Sequence, residues 1–95
     1  MVKSTGKKKT KVAVFISGTG SNLKSLIKFS KLKKSPITIN LIVSSNKNAA
    51  GLKYGNIFKI KHKSFNFKNK AVAEKKILNI LKENKINLIC LAGFM

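Results

Sequence analysis

The sequence contains no arginine, no aspartate and no tryptophan, and its acidic residues are Glu74 and Glu83 alone. A nucleophile-base-acid triad needs a carboxylate behind the base, and both glutamates fall on the outward side of one predicted helix. His62, the single histidine, has no acidic neighbour in sequence, so no catalytic residue is assigned. The single cysteine, Cys90, excludes a disulfide framework and any metal-ligand spacing. Lying within an apolar run, it reads as a small core hydrophobe. No apolar stretch reaches the roughly 18 residues of a membrane span, and no signal-peptide core precedes Val12. A cytoplasmic protein without membrane contact is the expectation.

What is abundant is lysine: all 21 basic residues are Lys, giving a formal net charge of +19. Such a charge points toward nucleic acid or an acidic surface. Base-edge and bidentate phosphate recognition favour Arg, however, and Lys, Ile and Asn are enriched together, as a compositional bias of the coding sequence produces. A single-strand binder interleaves aromatics with its basic residues on one face, whereas the six Phe are scattered. A solvated lysine surface without specific nucleic-acid binding is therefore expected, with a Lys-rich nucleic-acid module as the alternative.

Residues 1–10 form a basic polar leader, expected to be disordered, and residues 11–95 a single unit without repeats. Val12 to Ile16 is a continuous apolar run, the pattern of a strand buried on both faces of a parallel sheet. Leu23, Leu26, Ile27 and Leu32 then fall at helical spacing, until Pro36 ends the pattern. Ile37 to Ser44 begins by alternating and ends as a solid apolar run, a second strand. Ala49 to Tyr54 reads as a short helix stopped at Gly55, Ile57 to Ile60 as a third strand, and the following loop holds His62, Ser64 and Asn66. Ala73, Ile77, Ile80 and Leu81 mark a helix over Asn69 to Asn84, and Ile86 to Ala92 reads as a buried fourth strand. This alternation predicts a Rossmann-like α/β fold, a doubly wound parallel sheet of order 3-2-1-4 with ligands at the carboxyl ends of strands 1 and 4. The chain stops soon after that strand, which predicts the N-terminal portion of a longer domain.

The turn between the first strand and helix is Gly18-Thr19-Gly20-Ser21-Asn22. A dinucleotide fingerprint would have a third glycine where Leu23 stands, and an acidic residue after strand 2, where Ser44, Ser45 and Asn46 stand. A P-loop would need Gly-Lys-Ser/Thr, which is absent. A monophosphate cradle remains: Gly20 permits close backbone approach, and Ser21 and Asn22 donate at the helix N-terminus. The plainer alternative is a tight turn with Ser21 or Asn22 as the cap.

Three blocks carry a resemblance over Lys11 to Met95: Ile16-Ser17-Gly18-Thr19-Gly20-Ser21-Asn22-Leu23, then Ser45-Asn46-Lys47 with Ala50-Gly51-Leu52, and Leu91-Ala92-Gly93-Phe94-Met95. In this order and spacing the chain resembles the phosphoribosylglycinamide formyltransferases. Methionyl-tRNA formyltransferases and formyltetrahydrofolate deformylases, folate-dependent enzymes of the same fold, are the alternatives within that class. The resemblance implies transfer of a formyl group from 10-formyltetrahydrofolate to the amine of glycinamide ribonucleotide, in purine biosynthesis and without a metal. It implies that Gly20, Ser21 and Asn22 hold the substrate phosphate, that Lys70 lies by the folate, and that Met95 opens the folate-lining segment. It also implies that the Asn, His and Asp performing the transfer lie beyond Met95, so that these residues alone are inactive. His62 does not match that catalytic histidine.

Overall fold

The computed structural model describes residues 9–18, 21–65 and 68–92. Along the chain run β1 (Thr10–Ile16), α1 (Ser21–Ser30), β2 (Ile37–Ser44), a single 3-10 turn (Ala50–Leu52), α2 (Lys53–Ile57), β3 (Lys61–Ser64), α3 (Lys70–Glu83) and β4 (Leu88–Leu91). All pairings are parallel and the strand order is β3-β2-β1-β4, as the sequence predicts. Of the leader, residues 1–8 lie outside the described residues, and Thr10 already belongs to β1.

Alternation along β1 divides the core between the two faces of the sheet. Val12, Val14 and Ile16 pack with Leu23 and Ile27 of α1 and with Ile39 and Ile42 of β2. Ala13 and Phe15 point the other way, onto Leu41 and Val43 of β2 and onto Ile77 and Ile80 of α3. Helices thus cover both faces, and the unbroken apolar run of β1 is the pattern such a position requires.

The mixed pattern of β2 has a specific cause. Val12 pairs with Ile39 but Ala13 pairs with Leu41, so Asn40 is an extra residue inserted into the ladder. Such a bulge moves the residues after it to the opposite face. Ile37, Ile39 and Ile42 consequently share the α1 face, while Leu41 and Val43 meet α3. The irregularity leaves the Asn40 Oδ1 buried with no hydrogen-bond partner among the described residues.

Helix α3 is capped at both ends by asparagine. The Asn69 side chain accepts from the Val72 N–H at 3.3 Å, and Asn84 Nδ2 donates to the Ile80 carbonyl at 2.8 Å. Lys85, with φ 54°, then turns the chain into the left-handed region toward β4.

Five local expectations are corrected. Leu32 lies beyond the end of α1 and is 58% exposed. The third strand is Lys61–Ser64, not Ile57 to Ile60; Ile57 ends α2, and Lys59, at φ 57°, makes the turn between them. His62 and Ser64 therefore stand in a strand rather than a loop, and Asn66 lies outside the described residues. Gly55 does not stop a helix but sits buried within α2, where the His62 ring occupies the space a Cβ would need. The fourth strand spans Leu88–Leu91 rather than Ile86 to Ala92, and it is an edge strand whose Leu88, Ile89 and Leu91 are 52%, 45% and 65% exposed.

Candidate functional site

In a parallel sheet the strand-to-helix loops gather at the carboxyl edge, and a site belongs where the crossovers diverge from one strand to its two neighbours. Here that strand is β1, flanked by β2 and β4. Backbone bonds level the strand ends: the Ile16 carbonyl accepts from Ser45 N–H at 3.3 Å, and the Phe15 carbonyl accepts from Ala92 N–H at 2.9 Å. One residue past Ser17, the Gly18 carbonyl accepts from the Gly51 N–H at 3.0 Å. The 3-10 turn is thereby bound to the β1–α1 loop from the side.

Helix α1 starts at Ser21 with no acidic residue in its first turn, and α3 has none in its first turn either. Neither positive helix end is neutralised by a carboxylate of its own first turn, the electrostatic condition for attracting an anion. Asn22 is exposed and lines an open hollow of about 410 Å³ with Ser25 and Leu26 of α1 and with Cys90, Leu91 and Ala92. One side of this hollow offers an amide and a hydroxyl, the other the apolar end of β4. A second hollow, of about 480 Å³, lies at the ends of β2 and β3, lined by Ser45, Asn46, Lys47, Asn48, Ser64 and Phe65.

The sequence-predicted residues distribute as follows. Asn22 is at the divergence point. Ser21 opens α1 in its backbone, whereas its side chain lies outside the described set, as do Gly20 and Met95. Lys70 is exposed in the first turn of α3 and lines neither hollow. Cys90, half-buried and free, packs against the α1-side core and shares the hollow of Asn22. His62 is not brought there: its Nδ1 lies 3.0 Å from the Ile60 carbonyl on the β3 edge. Glu74 and Glu83 are both exposed on α3.

Sequence reasoning missed the tie between Gly51 and Gly18. The Ala50-Gly51-Leu52 block marks the segment, and Gly51 is buried at its centre, but nothing in the sequence names its backbone partner. Among the described residues no cluster of His, Cys, Asp or Glu is arranged to hold a metal ion. No helix among them is long and apolar enough to cross a membrane.

Comparison with known proteins places this geometry. The family model for formyl transferases matches residues 10–95. The trifunctional purine biosynthetic protein adenosine-3 of Homo sapiens is 39% identical over 92 residues, covering 94% of this chain and 9% of that protein. The phosphoribosylglycinamide formyltransferase of Bacillus subtilis is 32% identical over 88 residues, 90% of this chain and 45% of its own. The crystal structure of phosphoribosylglycinamide formyltransferase from Brucella melitensis superposes with a TM-score of 0.87 at 35% identity, over 93% of this chain and 47% of that one. This chain thus spans less than half the length of each of these relatives. It belongs to the formyl transferase family.

Proposed function

We propose that this chain supplies the phosphate-binding half of a phosphoribosylglycinamide formyltransferase, acting in purine biosynthesis in the cytoplasm. The observation that carries the reading is the β1–α1 loop at the sheet's divergence point, opening a helix with no acidic residue in its first turn, in a chain of this family. Gly20, Ser21 and Asn22 hold the phosphate of glycinamide ribonucleotide through backbone and side-chain donors. The donor is 10-formyltetrahydrofolate, with Lys70 and Met95 on the folate side, and no metal takes part.

In the reaction the substrate amine attacks the formyl carbon and forms a C–N bond. The bond from the tetrahedral carbon to the folate nitrogen then breaks, and a general base carries the proton lost by the amine to that departing nitrogen. The sequence has no Asp and one His, and His62 stands on the far strand. Binding of the nucleotide without sustained turnover is therefore the activity proposed for a polypeptide of these residues.

Calorimetry or an NMR titration with glycinamide ribonucleotide tests the phosphate assignment. Gly20→Val, which obstructs backbone approach, is expected to weaken binding by about tenfold or more, roughly 1.4 kcal/mol. A variant that folds and binds as well as the parent overturns the assignment. Sustained formyl transfer by the purified polypeptide would overturn the second half of the reading.

A further inference from the structure

A buried hydroxyl at the end of β2 is linked through backbone hydrogen bonds to the β1–α1 loop. Ser44 is completely buried, and its hydroxyl spans the following turn: it donates to the Asn46 carbonyl at 2.8 Å and accepts from the Asn46 N–H at 3.0 Å. The same Asn46 carbonyl accepts from the Ala49 N–H at 3.0 Å, and Asn46 Oδ1 accepts from the Asn48 N–H at 2.9 Å. These bonds fix the start of the 3-10 turn, in which the Ala49 carbonyl accepts from the Leu52 N–H. Ala49 and Gly51 are both buried, and Leu52 is packed against the α1-side core. From that anchored turn the Gly51 N–H reaches the Gly18 carbonyl at 3.0 Å.

We infer that Ser44 is a positioning residue for the phosphate-binding loop, acting through Asn46 and the 3-10 turn to fix the Gly18 carbonyl. The inference rests on the proposed phosphate role of that loop. A phosphate cradle of backbone N–H groups works only if the peptide planes are oriented before the ligand arrives, since reorienting them on binding subtracts from affinity. A Cβ placed on Gly18 would meet nothing within 4 Å among the described residues, so the Gly18 position is not packed from that side. The hydrogen bond from Gly51 supplies a restraint on its peptide plane. Ser44 contacts no ligand in this arrangement; its effect is transmitted through the backbone of a segment about thirty positions after the loop in sequence.

The test is Ser44→Ala, read by amide hydrogen exchange and by titration with glycinamide ribonucleotide. Exchange at the Gly51 amide is expected to accelerate about tenfold while Val14, in the middle of β1, is unchanged, and nucleotide affinity should fall by a similar factor. A purely structural role would raise exchange at Val14 together with Gly51. If Ser44→Ala does not fold, Asn46→Ala, which removes only the exposed side-chain bond to Asn48, should give a smaller acceleration confined to Gly51. An unchanged Gly51 amide in a folded variant overturns the inference. Failure of the parent to bind the nucleotide, with Gly51 still responding selectively, overturns the phosphate role while leaving the coupling to Gly18 in place.

Discussion

The two edges of this sheet are chemically opposite. At one edge β3 is short and polar, with Lys61, Lys63 and Ser64 exposed. At the other β4 is equally short but reads Leu-Ile-Cys-Leu, with Leu88, Ile89 and Leu91 about half exposed or more. An edge strand leaves one row of backbone groups unpaired, and lysine side chains discourage another strand from adding there. The β3 edge is built on that plan. Strand β4 has the composition of an interior strand, apolar on successive residues that point to opposite faces. The hollow containing Asn22 also opens beside β4. Of the two hollows the water-adapted edge reaches only the second, through Ser64, whereas the apolar edge forms one wall of the hollow of Asn22.

The largest expected effect comes from exchanging the chemistry of these edges. A purified polypeptide of these residues is expected to self-associate through β4, more strongly as salt screens the repulsion between copies of formal charge +19. Leu88→Lys with Leu91→Lys should abolish this, since burying one leucine contributes about 1.5–3 kcal/mol and two are lost per copy. That corresponds to roughly a hundredfold or more in the association constant. The reverse pair, Lys61→Leu with Lys63→Leu, should create association at the opposite edge. Sedimentation velocity at two salt concentrations reads both. A compact monomer at all concentrations, with no binding of an apolar-surface dye, would remove the distinction between the edges.

A smaller effect is expected where β3 meets its supporting helix. Gly55→Ala places a methyl group into the space of the His62 ring, and the ring is also held by its contact with the Ile60 carbonyl. Overpacking of this kind costs about 1–3 kcal/mol, read as a shift in the denaturant midpoint. In a His62→Ala background the same substitution should cost much less, because the colliding ring is gone. Equal costs in both backgrounds would show that His62 does not anchor β3 on α2.

The same contrast explains what could be read from the sequence. Strands β1 and β2 were legible because they are interior and apolar, and α3 because its buried face repeats at helical spacing between two asparagine caps. The pattern points to Ile57 to Ile60 instead of β3 because an edge strand carries few apolar residues, so the hydrophobic signal comes from the preceding helix end. The role of Gly55 is not legible, because a glycine needed for a close ring contact looks the same in sequence as one ending a helix. The divergence point, and the position of Asn22 at the start of the helix beside it, are legible from the strand-turn-helix pattern. The Gly51 bond to Gly18 was not, since it joins two backbone groups and leaves no side-chain pattern, and the bulge at Asn40 showed only as a change of period whose cause is the pairing register.

The smallest effect concerns the lysines themselves. Among the described residues the lysines are spread over α1, the β2 end, β3 and α3 rather than gathered on one element, as Lys24, Lys28, Lys47, Lys61, Lys63, Lys70 and Lys76 show. Binding to an oligonucleotide should therefore be indifferent to sequence and steeply salt-dependent. If roughly six phosphates are neutralised, affinity falls about 10³-fold or more between about 50 and about 200 mM salt. Lys61→Gln with Lys63→Gln removes two of many equivalent contributors, so the salt slope should fall by no more than about 2, with stability changed by no more than about 0.5 kcal/mol. The glutamines keep the strand polar, so this pair should not produce the association expected of the leucine pair. If the glutamine pair abolished nucleic-acid binding outright, or if sequence-selective binding survived the higher salt, the β3 edge would be a dedicated polyanion surface rather than a solvated margin.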